Sequence, residues 1–376
     1  MSRSVKGESL PDKYLGGRGH TIGTNVAGTA ARSVSHRKEV AMTQNRWGIA
    51  GAGFIAGMFA WDLGFTNEAT VTAVGSRDLA KAERFASERG PMRAHGSYEE
   101  LIADPEVDFV YVAVPHSEHA RVAELAIRAG KPVLVEKPFA LNARQAESIF
   151  ELAKRENVFV MEGLWSRFLP HMVKLREVVE SGAIGEIVSV SADHGLRFDP
   201  DHPEHRLYDP ALGGGALLDL GIYPVSLVAS LLGDITDVSA FGTLTATGVD
   251  AETSALMRDT AGRHGIINTS LSTESSNRAS VNGTRGRIEL GYNYMIPSDL
   301  RIVSFGEGNP AHGEKVEDFI GAVEGGMGWR FEALEVARCA RAGLRESPVV
   351  PHALTLKTLR IMDEIRQQVG VRYDAD

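Results

Sequence analysis

A lysine, an aspartate and a tyrosine in this chain are spaced to share one proton-transfer site. Lys137 closes the apolar run Pro132–Glu136 in the triplet Glu136-Lys137-Pro138. If that run is a strand of a doubly wound sheet, ligands bind beyond its carboxyl end, and Lys137 points into the crevice. Asp219 and Tyr223 lie within Gly213-Gly214-Gly215-Ala216-Leu217-Leu218-Asp219-Leu220-Gly221-Ile222-Tyr223. Four residues apart, they share one face of a helical turn. A phenol beside an ammonium is a general base for an alcohol proton as the hydride leaves. The cation lowers the phenol's pKa, and the carboxylate orients the lysine or the substrate hydroxyls. Lys137 itself is the competing base. The plainer reading is a solvated lysine before a turn proline and a tyrosine packed in a core.

A glycine-rich turn supplies the other half of the chemistry. Gly51-Ala52-Gly53-Phe54-Ile55-Ala56 has the form G-x-G-x-x-A between a predicted strand and a predicted helix. That context marks dinucleotide binding. Gly51 permits the tight turn, Gly53 lets the backbone approach a pyrophosphate, and the helix N-terminus favours the anion. At the end of the next strand an NAD enzyme usually carries Asp or Glu. Here Ser76-Arg77 follows Val74-Gly75, with Lys81 four residues on. Such a set suits the 2′-phosphate of NADP, with NAD as the alternative. Asp78 offers a competing role for Arg77 as half of a surface ion pair.

The elements that must position these groups fall into two patterns. From Arg46, short apolar runs alternate with helical stretches, the sign of βαβ units and a parallel sheet. Strands are expected at Trp47–Ala50, Ala69–Val74, Phe109–Val114, Pro132–Glu136 and Val158–Met161, with helices between them. After Gly163, segments such as Ile187–His194, Val238–Leu244, Ser254–Arg258 and His264–Ser272 alternate apolar and polar residues, as half-buried antiparallel strands do. Helices are expected near Met172–Ser181, Tyr223–Leu232 and Phe331–Gly343. The fold class is therefore α/β. An N-terminal Rossmann domain with a doubly wound parallel sheet (42–162) precedes a C-terminal α+β domain with a large, mostly antiparallel open sheet (163–376). Residues 1–41 lack periodicity and read as a disordered extension, with Met42 as the functional start.

Composition narrows the function. A net charge of −9 argues against a general nucleic-acid or anionic-membrane binder. The single cysteine, Cys339, rules out an intramolecular disulfide framework and fits a reducing cytoplasm. No apolar run approaches the roughly 20 residues of a membrane helix. His194, His202 and His205 match no zinc spacing, so no metal is expected there, and substrate contact or solvent is their expected role.

In combination these motifs resemble the glucose–fructose oxidoreductase/inositol dehydrogenase (Gfo/Idh/MocA) family. The resemblance rests on Gly51–Ala56, Ala113-Val114-Pro115-His116-Ser117-Glu118-His119, Ala129–Pro138 and the Asp219-x-Gly221-x-Tyr223 box, and it covers the chain from residue 45 onward. Within the family the chain is similar to the dihydrodiol dehydrogenase and NADP-dependent D-xylose dehydrogenase branch. Met161–Pro170, Gly213–Tyr223, Ser280–Gly286 and Gly343–Pro351 carry that likeness. The resemblance implies Lys137, Asp219 and Tyr223 as the catalytic set and Trp165, with Asp219 and Tyr223, in the substrate pocket. It places Arg77 and Lys81 on the 2′-phosphate. It extends the cofactor contacts to Gly51, Gly53, Phe54, Ile55, Ser76, Pro115, His116, His119, Glu136, Lys137 and Arg167. Many members have histidine where this chain has Tyr223, which points away from the inositol dehydrogenases. The branch dimerises through its C-terminal sheet, so a homodimer or higher oligomer is expected.

The expected activity is NADP-dependent hydride transfer from the anomeric carbon of a sugar or from a trans-dihydrodiol. The alternatives are a reductase of a keto- or deoxy-sugar or an inositol-like polyol, and a non-catalytic NADP-sensing regulator. Michaelis constants should be lower for NADP than for NAD. Arg77→Ala should erase that preference, at a cost of roughly 1.5–3 kcal/mol for a lost charged hydrogen bond. Equal constants for both cofactors in the unaltered protein would contradict the reading.

Overall fold

The apolar runs of the first half line up as six parallel strands. The computed structural model describes residues 44–199, 205–306 and 315–376; the expected N-terminal extension and His202 lie outside them. The strands are β1 (Asn45–Ala50), β2 (Ala69–Gly75), β3 (Arg93–His95), β4 (Phe109–Val112), β5 (Val133–Glu136) and β6 (Val160–Gly163). Their spatial order is β3-β2-β1-β4-β5-β6, all parallel, the order of the dinucleotide-binding doubly wound fold. β4, β5 and β6 are buried throughout. Helices cover both faces, which is why these strands read as continuous apolar runs.

The helices between them are α1 (Phe54–Leu63), α2 (Leu79–Arg89), α3 (Tyr98–Ala103), α4 (His119–Arg128) and α5 (Ala143–Glu156). Side-chain caps start three of them. Asp78 accepts from Lys81 N on α2, Ser97 from Glu100 N on α3, and Asn142 from Gln145 N on α5. Asp78 is thus an N-cap, and no Arg77–Asp78 ion pair forms among the described residues. β3 and α3 are too short to have shown a period in the sequence.

Beyond β6 come α6 (Pro170–Glu180), β7 (Ile187–Gly195), α7 (Ile222–Leu231), β8 (Ile235–Leu244), β9 (Asp250–Asp259) and β10 (His264–Ser270). They are followed by β11 (Ala279–Gly283), β12 (Gly286–Leu290), β13 (Leu300–Ser304), β14 (Lys315–Phe319), α8 (Trp329–Arg341) and α9 (His352–Val369). The eight strands form a second sheet in the order β14-β13-β12-β11-β7-β10-β9-β8. Only the β7/β10 pairing is parallel; the others are antiparallel. Along β9 burial alternates residue by residue, as a one-sided sheet requires. A turn at Asp259–Arg263 joins β9 to β10, tied by Asp259 Oδ1 accepting from Ala261 N and Arg263 N.

One apolar helical stretch, Pro210–Leu231, is long enough by composition to cross a membrane, contrary to the sequence expectation. It is 89% buried inside the fold and serves as a core helix over the second sheet. The end of the chain returns to the first sheet. Asp62 on α1, fully buried, accepts from Gly328 N and Arg330 N at the start of α8. Ala143 N at the start of α5 donates to Asp363 on α9.

Candidate active site

The carboxyl ends of β1, β4 and β5 meet the N-terminal end of α7, and the expected residues gather there. Gly51 follows β1 with φ +114°, a region that favours glycine; a Cβ there would lie 2.2 Å from Ala113 O. Gly53 is different, since a Cβ there would meet nothing within 4 Å. The first turn of α1 has no acidic residue, and no side chain caps it. An open backbone at an uncapped helix N-terminus fits a pyrophosphate. Phe54 is exposed and Ile55 and Pro115 half-buried around it. Ser76 is buried and accepts from Asp78 N, while Arg77 and Lys81 are exposed at the end of β2, where a 2′-phosphate would sit.

Asp219 is the centre of the site. It lies in a π-helical turn, Leu217–Gly221, that runs into α7; such turns recur at functional sites. Lys137 Nζ donates to the Asp219 backbone carbonyl at 2.7 Å and to its Oδ1 at 3.3 Å. Arg206 donates to the same Oδ1 at 3.0 Å, and His116 Nε2 stands 3.5 Å from it. Burial works against the charge on Asp219. The Lys137 ammonium, the Arg206 guanidinium and His116 outweigh it and hold the carboxyl well below the usual carboxylate range.

Tyr223 follows one turn later. Its Oη accepts a hydrogen bond from Trp165 Nε1 at 2.9 Å, and Trp165 stacks on Trp329 with centroids 4.3 Å apart. Lys137 Nζ lies over the phenol ring, 5.2 Å from its centre, while its hydrogen bonds go to Asp219. The sequence expectation of a phenol acidified by Lys137 is therefore corrected. Burial, followed by the negative charges of Glu136 and Asp219, pushes Tyr223 well above the usual phenol range.

Three expected cofactor contacts turn into the protein instead. Glu136 is buried, accepting from the Tyr111 hydroxyl and from Lys137 N, and burial pushes its carboxyl up to about 7. His119 is fully buried between the carbonyls of Pro138 (2.8 Å) and Val114 (3.0 Å). It sits between the loop after β4 and the loop after β5, beside Lys137, and as a neutral imidazole donates to one of the two carbonyls. His116 bridges from Gly213 O, at 2.8 Å, to Asp219.

Arg167 is buried, with Nε on Val349 O and no ion pair among the described residues. Its burial lowers the guanidinium to about 10, so it stays charged and suits an anionic group.

Two residues of the site, Arg206 and Glu332, escaped the sequence, and a third, His194, was expected only as a substrate contact or a solvent-facing residue. Arg206 sits in a short 3₁₀ turn with no pattern around it. His194 packs edge-to-face on Tyr223, with centroids 5.6 Å apart. Glu332 on α8 is buried with both oxygens unpartnered, and burial beside Glu136 raises it well above the carboxylate range. Nothing but the tertiary fold brings these to Tyr223. Among the described residues no cluster of three His, Cys, Asp or Glu side chains is arranged to hold a metal.

Comparison with known proteins agrees with this geometry. Residues 45–164 match the model of an oxidoreductase family with an NAD-binding Rossmann fold, and residues 172–289 match a Gfo/Idh/MocA C-terminal domain. Trans-1,2-dihydrobenzene-1,2-diol dehydrogenase of Mus musculus is 38% identical over 342 residues, 88% of this chain and 98% of that protein. The Bos taurus enzyme of the same name is 35% identical over 88% of this chain and 98% of its own.

The chain belongs to the Gfo/Idh/MocA family.

It is an oxidoreductase with a dinucleotide-binding Rossmann domain. Among solved structures, a 3-ketoreductase from Actinomadura kijaniata with NADP superposes with a TM-score of 0.76 at 25% identity, covering 88% of this chain and 99% of that one. An aldose–aldose oxidoreductase from Caulobacter crescentus gives 0.75 at 25% identity, covering 87% and 97%.

Buried neutral histidines give this family member a testable acid sensitivity. Burial lowers His119 from an ordinary value of 6.5 to about 3. The unfolded chain then binds a proton that the folded chain refuses, so stability is present above about pH 6.5 and is lost as pH falls toward 3. Between pH 7 and pH 5, His119 alone should cost about 2 kcal/mol of folding free energy. Urea unfolding of the unaltered protein and of His119→Gln at both pH values checks this. An equal pH 7-to-5 loss in the two proteins would contradict it.

Proposed function

We propose that this protein is an NADP-dependent dehydrogenase acting on a CH–OH group, either the anomeric carbon of a sugar or a trans-dihydrodiol. The observation that carries the reading is Asp219 pinning Lys137 beneath the ring of Tyr223, while Trp165 holds the phenolic oxygen. A pure nucleotide sensor has no use for that arrangement. The exposed Arg77 and Lys81 beyond β2, with no acidic residue at the strand end, support NADP over NAD.

When bound, NADP supplies the hydride acceptor. The protein's own residues handle the proton. In reduction Tyr223 Oη donates its proton to the carbonyl oxygen; in oxidation the alcohol proton passes to Oη of the phenolate form, the reverse of that step. The Trp165 hydrogen bond fixes Oη and stabilises negative charge on it. Lys137 and Arg206 keep Asp219 ionised, and Asp219 keeps Lys137 in place. Because burial holds the proton on Tyr223, the phenol is set to donate to a carbonyl. That favours, as the second reading, a reductase of a keto-sugar, and the likeness to a 3-ketoreductase supports it.

We further propose a homodimer through the outer face of the second sheet. On that face Leu256 stands directly opposite Ile266 and Phe241 opposite Ser254. Phe241 is 78% exposed, and Leu256 and Ile266 about half, an apolar patch of the kind that marks an interface. Light scattering at micromolar concentration should give twice the chain mass, and a monomer mass would exclude the dimer.

Tyr223→Phe keeps the ring and removes only the hydroxyl. Turnover with NADP and an aldose or dihydrodiol should fall by about 10²–10⁴, the usual worth of general acid–base catalysis, with NADP affinity unchanged. Near-normal turnover in this variant would transfer the proton role to Lys137.

A further inference from the structure

A second polar group packs against Tyr223, and its protonation is dictated by the fold. His194 lies near the end of β7, 5% exposed, with its ring against that of Tyr223. Its Nδ1 is 2.8 Å from Asn277 Oδ1. The amide of Asn277 has only one workable orientation. Oδ1 accepts from Gly195 N at 2.9 Å, and Nδ2 donates to Gly195 O and Ser275 O at 3.2 Å each.

The backbone of Asn277 is held just as firmly. Asn277 N and Arg278 N both donate to the Asp193 carboxylate, at 2.7 and 3.2 Å. Asn277 itself is fully buried with φ +51°, a left-handed conformation that a non-glycine residue adopts at some cost. Since Asn277 Oδ1 is an acceptor, His194 Nδ1 carries the hydrogen. A neutral imidazole then has a bare lone pair on Nε2. Burial, reinforced by Lys137, lowers His194 to about 4, so the ring is neutral at ordinary pH. Nε2 makes no hydrogen bond among the described residues and is not sealed from solvent.

An acceptor held in one tautomer beside the proton-transfer phenol has a definite complement, a substrate hydroxyl. We propose that His194 Nε2 accepts the hydrogen of the hydroxyl on the carbon next to the reacting one, so that the site selects vicinal diols and aldoses with a free 2-hydroxyl over mono-alcohols. This rests on the reading that Tyr223 Oη serves the reacting oxygen. Ring centroids 5.6 Å apart let the two groups, each about 2.8 Å from its own oxygen, serve oxygens on adjacent carbons. Asn277 is the positioning residue, acting through His194.

The test is kcat/KM with NADP for two matched pairs, D-xylose against 2-deoxy-D-xylose and trans-cyclohexane-1,2-diol against cyclohexanol. Unaltered protein, His194→Phe and His194→Gln are compared. The unaltered protein should prefer the member with the neighbouring hydroxyl. His194→Phe should shrink that preference roughly 10- to 100-fold, mainly through KM, and His194→Gln, which restores an acceptor, should recover part of it. Equal losses on both members of a pair would make His194 merely structural and overturn the proposal, as would an unchanged preference. Fluorescence of Trp165, titrated with the same pairs, reads the binding preference without turnover. A diol preference in binding that depends on His194, together with full turnover in Tyr223→Phe, would refute the proton assignment while leaving this inference standing.

Discussion

The site depends on a single buried negative charge. Asp219 is nearly closed to solvent, where an unpaired carboxylate is costly, yet it is ionised because Lys137, Arg206 and His116 all converge on it. The three come from separate places: the end of β5, a 3₁₀ turn after β7, and the loop after β4. One carboxylate therefore draws the dinucleotide-binding sheet and the second sheet's connections to the same point. Removing it would leave Lys137 and Arg206 confronting each other without a counterion.

The rest of the fold serves to bring those groups to Asp219. The parallel sheet presents Lys137 at a strand end, where open α/β sheets bind ligands. The π turn before α7 sets Asp219 so that its backbone carbonyl as well as its side chain receives Lys137. His119 is buried between Val114 O and Pro138 O, in the two strand-end loops, and as a neutral imidazole donates to one of them. Below this layer lie the buried Glu136, its partner Tyr111 and Glu332, and burial, followed by the charge of Glu136, holds the proton on Tyr223.

Much of this was legible in the sequence because it is local. The G-x-G-x-x-A turn, the strand ending in Glu136-Lys137-Pro138 and the four-residue spacing of Asp219 and Tyr223 are short-range patterns with direct geometric meaning. The apolar runs of β1, β2, β4, β5 and β6 and the alternation in β7 to β10 showed both sheets. What could not be read is tertiary. Arg206 lies on a segment without periodicity, and His194, though on the expected strand β7, meets partners that are distant in the chain. The direction of the Tyr223 shift was misjudged because the burial of the phenol and the charge of Glu136 beside it, which set that direction, are products of the tertiary fold. Strands β11 to β14 escaped because they are short and, unlike the equally short but fully buried β4 to β6, form no continuous apolar run. The helix α9 was missed although its apolar positions are regular enough to have been found.

The central claim is that Lys137 and Asp219 act as one unit. A double-mutant cycle on turnover with Lys137→Met, Asp219→Asn and the pair measures this directly. If the ammonium works only where Asp219 holds it, the double variant should be no slower than the worse single one, as residues acting as a unit are grossly non-additive. Losses that multiply, with the double variant slower by the product of the single effects, would show that the two residues act independently and would contradict the account.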